Sequence, residues 1–185
     1  MRDANGKSVE TFAYNGTTYV PLRAVSQSLG KDVSYDGKTQ RVYIGTNPNT
    51  TKYLMDVCPP YQVSNTYQVR SLANTSDKNR TMGGRQYGNG IYMYTGYGTE
   101  NNALFNLDGQ YDSLTATVGH VDGSGSVDVS LFFYVDDVLK ASFTIGSEDL
   151  PKDVIIPLDG GLQLKVLAKA SGGSSSVNVA NMIVK

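Results

Sequence analysis

"VDVSLFFYVDDVLKASF", residues 127–143, is the stretch whose reading decides the fold. Val127, Val129, Leu131, Phe133 and Val135 alternate with Asp128, Ser130, Phe132, Tyr134 and Asp136, a period of two held over nine residues. Successive strand side chains point to opposite faces, so this spacing puts one apolar face in a core and turns the other outward. A second strand-like run, 138–145, follows at once. Working outward, Leu114, Ala116 and Val118 repeat the pattern, and Leu162, Leu164 and Val166 alternate with Gln163, Lys165 and Leu167. With runs at 103–107, 112–119, 153–158 and 177–184, there are seven short strands with turn formers between them. That series predicts an antiparallel β-sandwich.

Composition agrees and removes several functions. The chain of 185 residues holds 20 Gly and 13 Tyr but no Trp, a profile of short strands and tight turns. Lys plus Arg number 16 against 17 Asp plus Glu, with no basic cluster, so neither nucleic acid nor an anionic membrane is an expected partner. No apolar run reaches the roughly 18 residues of a membrane-spanning helix. Cys58 is the single cysteine and forms no internal disulfide; a small buried hydrophobe is its ordinary role, and a link between two chains is the alternative. The opening "MRDANGKS" is polar and carries no apolar signal core. Either the protein is cytosolic or a secretion signal lay upstream.

The first 46 residues have a different texture. "VETFAY", "TTYV", "KDVSY" and "QRVYIG" are short β-like runs around one helical stretch, "PLRAVSQSLG". Pro21 suits the first helical position, Leu22, Val25 and Leu29 share a face, and Gly30 stands where a left-handed cap belongs. This predicts a ββαββ-like α+β unit too small to bury much surface, which has to lean on a neighbour. Residues 46–52, "TNPNTTK", read as a linker to a second domain over 53–185.

Two family resemblances follow from these residues. Gly16, Tyr19, Val20, Pro21, Leu22, Arg23, Leu29, Gly30 and the entry Val33 to Asp36 resemble the small stalk repeat named after the N-terminal domain of copper amine oxidases. The resemblance implies a surface protein of a Gram-positive bacterium. It does not imply copper chemistry, since a single histidine, His120, cannot supply the imidazole ligands copper favours. Over about 130 residues, "GGRQYGNGI" at 83–91, "NLDGQYDSL" at 106–114, "TVGHVDGS" at 117–124, "IIPLDGGLQLKV" at 155–166 and "SVNVANMIV" at 176–184 resemble the NPCBM/NEW2 putative carbohydrate-binding modules. That resemblance implies a jelly-roll sandwich found beside glycosidases and in surface proteins. One departure is Asp137-Val138 where the family has Asp-Gly, so this hairpin is expected to turn differently.

The candidate chemistry is sparse. Asp122, Ser124, Ser126 and Asp128 have the two-residue spacing of a calcium loop. The sixth and twelfth positions, however, are Val127 and Phe133, where an EF-hand needs Gly and Glu. A sandwich-type calcium site using Asp122 stays open beside the plainer reading of a polar turn. His120 has no strained nucleophile elbow near it in sequence, so no catalytic residue, cofactor or metal ligand is assigned. For sugar contact the candidates are Arg85, Tyr87, Asn89, Tyr92, Tyr94, Tyr97 and Asn101, flat rings beside amides and a guanidinium. "SGGSSS", 171–176, reads as a flexible hairpin tip. The expected protein is mostly β and extracellular. It acts as a non-catalytic module for a host, plant or cell-wall glycan, linked to a glycosidase or surface protein. The alternative is a structural or protein-interaction module without sugar affinity. Discrimination rests on whether the four tyrosines share one exposed surface.

Overall fold

The computed structural model describes residues 8–45 and 51–185, which belong to two compact units, 1–50 and 51–185. Most of the linker read at 46–52 lies outside the described residues, but Lys52 already belongs to a strand.

In the first unit, β1 (Phe12–Tyr14) and β2 (Thr17–Tyr19) form a hairpin, helix α1 (Leu22–Ser28) follows, and β3 (Val33–Asp36) pairs with β4 (Arg41–Ile44). The helix ends as its sequence directs. Gly30 takes φ +67°, its N–H reaches the Gln27 carbonyl and the Lys31 N–H reaches Ser26, the paired bonds of a Schellman cap. Pro21 sits one position earlier than expected, at the N-cap. The helix stripe departs from expectation as well. Leu22 and Leu29 are exposed, and the buried residues are Ala24 and Ser26.

The second unit is a two-sheet antiparallel sandwich. It opens with β5 (Lys52–Tyr53), the one-turn helix α2 (Leu54–Val57), β6 (Gln62–Val63) and β7 (Val69–Ser71). Residues 72–89 then leave the sheets as an excursion of two 3-10 turns and a hairpin, β8 (Thr81–Met82) with β9 (Arg85–Gln86). The long strands are β10 (Gly90–Thr95), β11 (Glu100–Asn106), β12 (Ser113–His120), β13 (Val129–Val135), β14 (Val138–Ile145), β15 (Lys152–Pro157), β16 (Gln163–Ala170) and β17 (Ser175–Val184). One sheet runs β15-β12-β17-β10-β7 with β5 on β17, and the other β14-β13-β16-β11-β6. The alternation read in the sequence is the packing. Val129, Leu131, Phe133 and Val135 of β13 are buried between the sheets, with Leu114, Val118, Leu164, Val166, Phe105, Ile91 and Met93.

The hairpin after β13 keeps the ordinary two-residue form. Asp136 and Asp137 both take positive φ (48° and 63°), as a type I′ turn requires, so the missing glycine does not change the turn. Asp136 offsets part of that strain, its carboxylate accepting the N–H groups of Leu162 and Gln163. Ser175 and Ser176, read as part of a loop tip, are buried residues opening β17.

A second, smaller core lies on the outer face of the first sheet. Leu72, Met82 and Tyr87 of the excursion cover Tyr92, Val121 and Ala180 there. The excursion covers only part of that face.

Candidate functional site

What remains uncovered is a groove of about 600 Å³, within the usual size of small-ligand sites. Its floor is Thr115 and Thr117 of β12, Asp153 and Ile155 of β15 and Asn181 and Ile183 of β17; Pro151, Arg85 and Tyr87 wall it. A bulge shapes the floor. Thr115 faces Ile183 but Thr117 faces Ala180, so Asn181 and Met182 together oppose Ala116. Asn181 takes φ +50°, and its N–H bonds the Asn89 carbonyl. That bond fixes the excursion's exit to the sheet. The next residue, Gly90, lies so close to β17 that a Cβ there would stand 2.2 Å from the Val179 carbonyl oxygen.

The excursion's hairpin is clipped from the other side by Asp122. Its two carboxylate oxygens accept the N–H groups of Gly83 and Gly84 at 2.7 and 2.8 Å, and its own N–H bonds the Thr81 carbonyl. The aspartate weighed as a calcium ligand therefore holds the turn that presents Arg85. Among the described residues no group of three or more His, Cys, Asp or Glu is placed to hold a metal. His120 is buried. Its Nδ1 donates to the Val121 carbonyl and its Nε2 meets the Ser175 hydroxyl, with Ser124 at 3.5 Å, so it ties the 121–126 loop to the start of β17.

The groove combines polar groups with apolar wall. Arg85 lies over the Tyr87 ring, its Cζ 5.7 Å from the centroid, and its guanidinium makes no ion pair with a described residue. Asp153 accepts one hydrogen bond, from Thr117 Oγ1 at 2.7 Å. Between these groups, Ile155 is 71 % exposed. A guanidinium, a carboxylate with spare lone pairs and the Asn181 amide thus surround aliphatic surface.

The seven sequence candidates do not form one surface. Arg85 and Tyr87 reach the groove, Tyr87 mostly buried beneath the guanidinium. Tyr92 is buried with its hydroxyl 2.9 Å from Ser176 Oγ and Arg70 over its ring, and Tyr94 is half-buried against the same cluster. Asn101 is buried too. Its amide donates to the Tyr94 carbonyl and Gln68 Oε1 and accepts from Ser64, so three of its four hydrogen-bonding positions are used within the fold. Asn89 contributes its backbone carbonyl to the bulge. Tyr97 is 85 % exposed, but on the turn beyond Thr95, which pairs with Ser175. Asn181 lies six residue steps along β17 from Ser175, roughly 20 Å at strand rise. Of the candidates read upstream of 103, the structure brings Arg85 and Tyr87 to the groove and places Tyr92 and Asn101 inside the fold.

Comparison with protein families matches residues 50–183 to the NPCBM/NEW2 domain. The chain belongs to that family. Residues 3–82 match the copper amine oxidase N-terminal domain. Comparison with curated protein sequences gives no match. Among solved structures, the CBM51 module of Clostridium perfringens GH95 in complex with methyl-galactose has a TM-score of 0.59 at 20% identity, covering 74% of this chain and 100% of that one. A second CBM51 module with INT domains of Clostridium perfringens ZmpB, in complex with GlcNAc, has a TM-score of 0.60 at 15% identity, over 82% of this chain and 35% of that chain. The tandem CBM51 modules of a family 98 glycoside hydrolase from Streptococcus pneumoniae give 0.56 at 10% identity, over 75% and 47%. This chain therefore spans about a third of the ZmpB fragment and half of the tandem module. The shared feature is the fold, the β-sandwich of carbohydrate-binding modules.

Proposed function

We propose that this chain is a non-catalytic, extracellular glycan-binding module that takes a neutral sugar in the groove beside the excursion. The observation that carries the reading is the groove's chemistry. Arg85, Asp153 and Asn181 are placed to hydrogen-bond hydroxyls around the apolar surface of Ile155 and Ile183, which suits the C–H face of a pyranose. Membership of a carbohydrate-binding family supports it, as do neighbours solved with methyl-galactose and GlcNAc. The non-catalytic assignment is supported by the occupied carboxylate of Asp122 and the structural role of His120. An expected setting, a glycosidase or surface protein of a Gram-positive bacterium, follows the contexts of those neighbours.

The test is a glycan panel spanning host, plant and cell-wall sugars, screened with the full chain and followed by calorimetry on any ligand found. Arg85→Ala and Asp153→Ala are each expected to weaken binding tenfold or more, while Tyr97→Ala leaves it unchanged. A flat panel removes the binding function. Binding that survives the first two variants and fails in the third moves the site to the opposite end of the sandwich.

A further inference from the structure

Among the described residues lining the groove, Asp153 is the one carboxylate, and no described Lys or Arg pairs with it. Its strand, β15, ends the first sheet, so a neighbouring strand flanks it on one side only. That strand is β12, where Thr117 stands directly opposite. Ala116, Val118 and Val154 point into the core, so Thr117 and Asp153 turn outward side by side. Thr117 Oγ1 donates to Asp153 Oδ1 at 2.7 Å. The two partners differ in freedom. Asp153 is exposed, whereas Thr117 is buried, with Ala180 of the covered outer face on its other side. Threonine also carries two heavy atoms on Cβ, which stiffens its side chain. The threonine is thus the fixed member of the pair and holds the carboxylate.

We infer, resting on the groove reading above, that Thr117 is a positioning residue: it holds Asp153 in one orientation and makes that end of the groove select free hydroxyls. A hydroxyl has one proton, and that of Thr117 is committed to the carboxylate. A carboxylate offers about four lone-pair sites and no donor, so about three remain for a sugar. Arg85 has the opposite character, with donors and no acceptor. A ligand group must therefore donate at Asp153 and accept at Arg85. Ordering a free side chain on binding lowers affinity about two- to tenfold, and the threonine has already ordered this one.

Titration of the full chain followed by NMR chemical shifts, with methyl-galactose and with GlcNAc as probes, tests this. Thr117→Val keeps the side-chain shape, removes the donor and should weaken binding about three- to tenfold. Thr117→Ser keeps the donor and should recover most of that loss. In an Asp153→Ala background the valine substitution should change nothing further. Equal affinity of wild type and Thr117→Val overturns the inference. A further loss in the Asp153→Ala background also overturns it, because the threonine then touches the sugar itself. Fluorine accepts but does not donate, so exchanging each probe hydroxyl for fluorine in turn should weaken binding at one position or more. Tolerance at every position overturns the selection of hydroxyls. Side-chain couplings in the free protein should show one Asp153 rotamer in wild type and Thr117→Ser, and averaging in Thr117→Val. An averaged Asp153 in the wild type overturns the positioning. If wild type binds neither probe yet holds one rotamer that Thr117→Val loses, the positioning stands and the sugar reading falls, so the two failures are distinguishable.

Discussion

Replacing Asp122 separates its two readings, hairpin clip and metal ligand. The carboxylate accepts two backbone N–H bonds, at 2.7 and 2.8 Å. Hydrogen bonds to a charged partner contribute about 1.5–3 kcal/mol each. Gly83 and Gly84 are exposed, so water rehydrates their N–H groups once the carboxylate is gone, which keeps the total near the bottom of the range. Asp122→Ala is therefore expected to cost about 2–3 kcal/mol, and Asp122→Asn about 1–2, since it keeps one acceptor but turns an amide N–H toward the second donor. For a sandwich of this length, each kcal/mol lowers Tm by roughly 3–4 °C, so the alanine variant should melt about 6–12 °C lower. Urea titration with a common slope gives the free energy directly. A loss under about 0.5 kcal/mol refutes the clip. Adding a chelator decides the other reading: wild-type Tm should not move. A chelator-induced drop that vanishes in Asp122→Ala would make this residue a calcium ligand instead.

Three further outcomes follow from the packing. Gly90→Ala forces a Cβ to 2.2 Å from the Val179 carbonyl and 2.7 Å from Ala180 Cα, so it should cost more than about 3 kcal/mol or prevent folding, as soluble yield and melting will show. Asp137→Gly relieves a non-glycine residue at φ 63° and should raise stability by about 0.5–1 kcal/mol, read as a higher urea midpoint; its Lys165 contact, 3.9 Å and exposed, contributes little. Burial, with the Cys58 thiol 3.6 Å from the hydroxyl, pushes the Tyr111 pKa up to about 12. The unfolded phenol ionises near 10, so the folded state holds the proton more tightly. Its contribution is complete below pH 10 and is lost as pH rises to 12, on the order of 2–3 kcal/mol. Tyr111→Phe should flatten that alkaline decline and remove the latest-titrating phenol from the ultraviolet titration; an unchanged slope would refute the assignment.

Strands with one buried face were legible because period two maps directly onto the pleat, as in β13 and β16. A clue to the groove was present too. Val177 and Val179 point into the core, then Met182 and Val184 do, and that slip of phase is the bulge that turns Asn181 outward. Asp153 and Ile155 show only as a charged and an apolar residue at outward positions of "KDVIIP", a pattern with many ordinary causes. What sequence could not give was the cover. Tyr92 and Tyr94 face away from the sandwich core, and periodicity says nothing of an excursion, already passed in the chain, folding back over them. Their ring-and-amide neighbourhood therefore read as a contact surface. In the first unit the helix spacing was correct, yet Leu22 and Leu29 face outward because nothing described within the unit covers them.

The lining of the groove bounds the affinity that it can supply. The groove has no tryptophan platform, and its one aromatic, Tyr87, is largely beneath Arg85, so a single groove offers a sugar limited contact area. Several linked sites on one repeating ligand raise overall affinity by about 10²–10⁴, and a single groove gains nothing of that kind. The calorimetric affinity for a soluble monosaccharide and the affinity per site on a polymer of that sugar should therefore agree, and Arg85→Ala should weaken both alike. A polymer affinity a hundredfold above that for the monosaccharide would refute a groove that takes one sugar, since the extra contacts must then lie outside it.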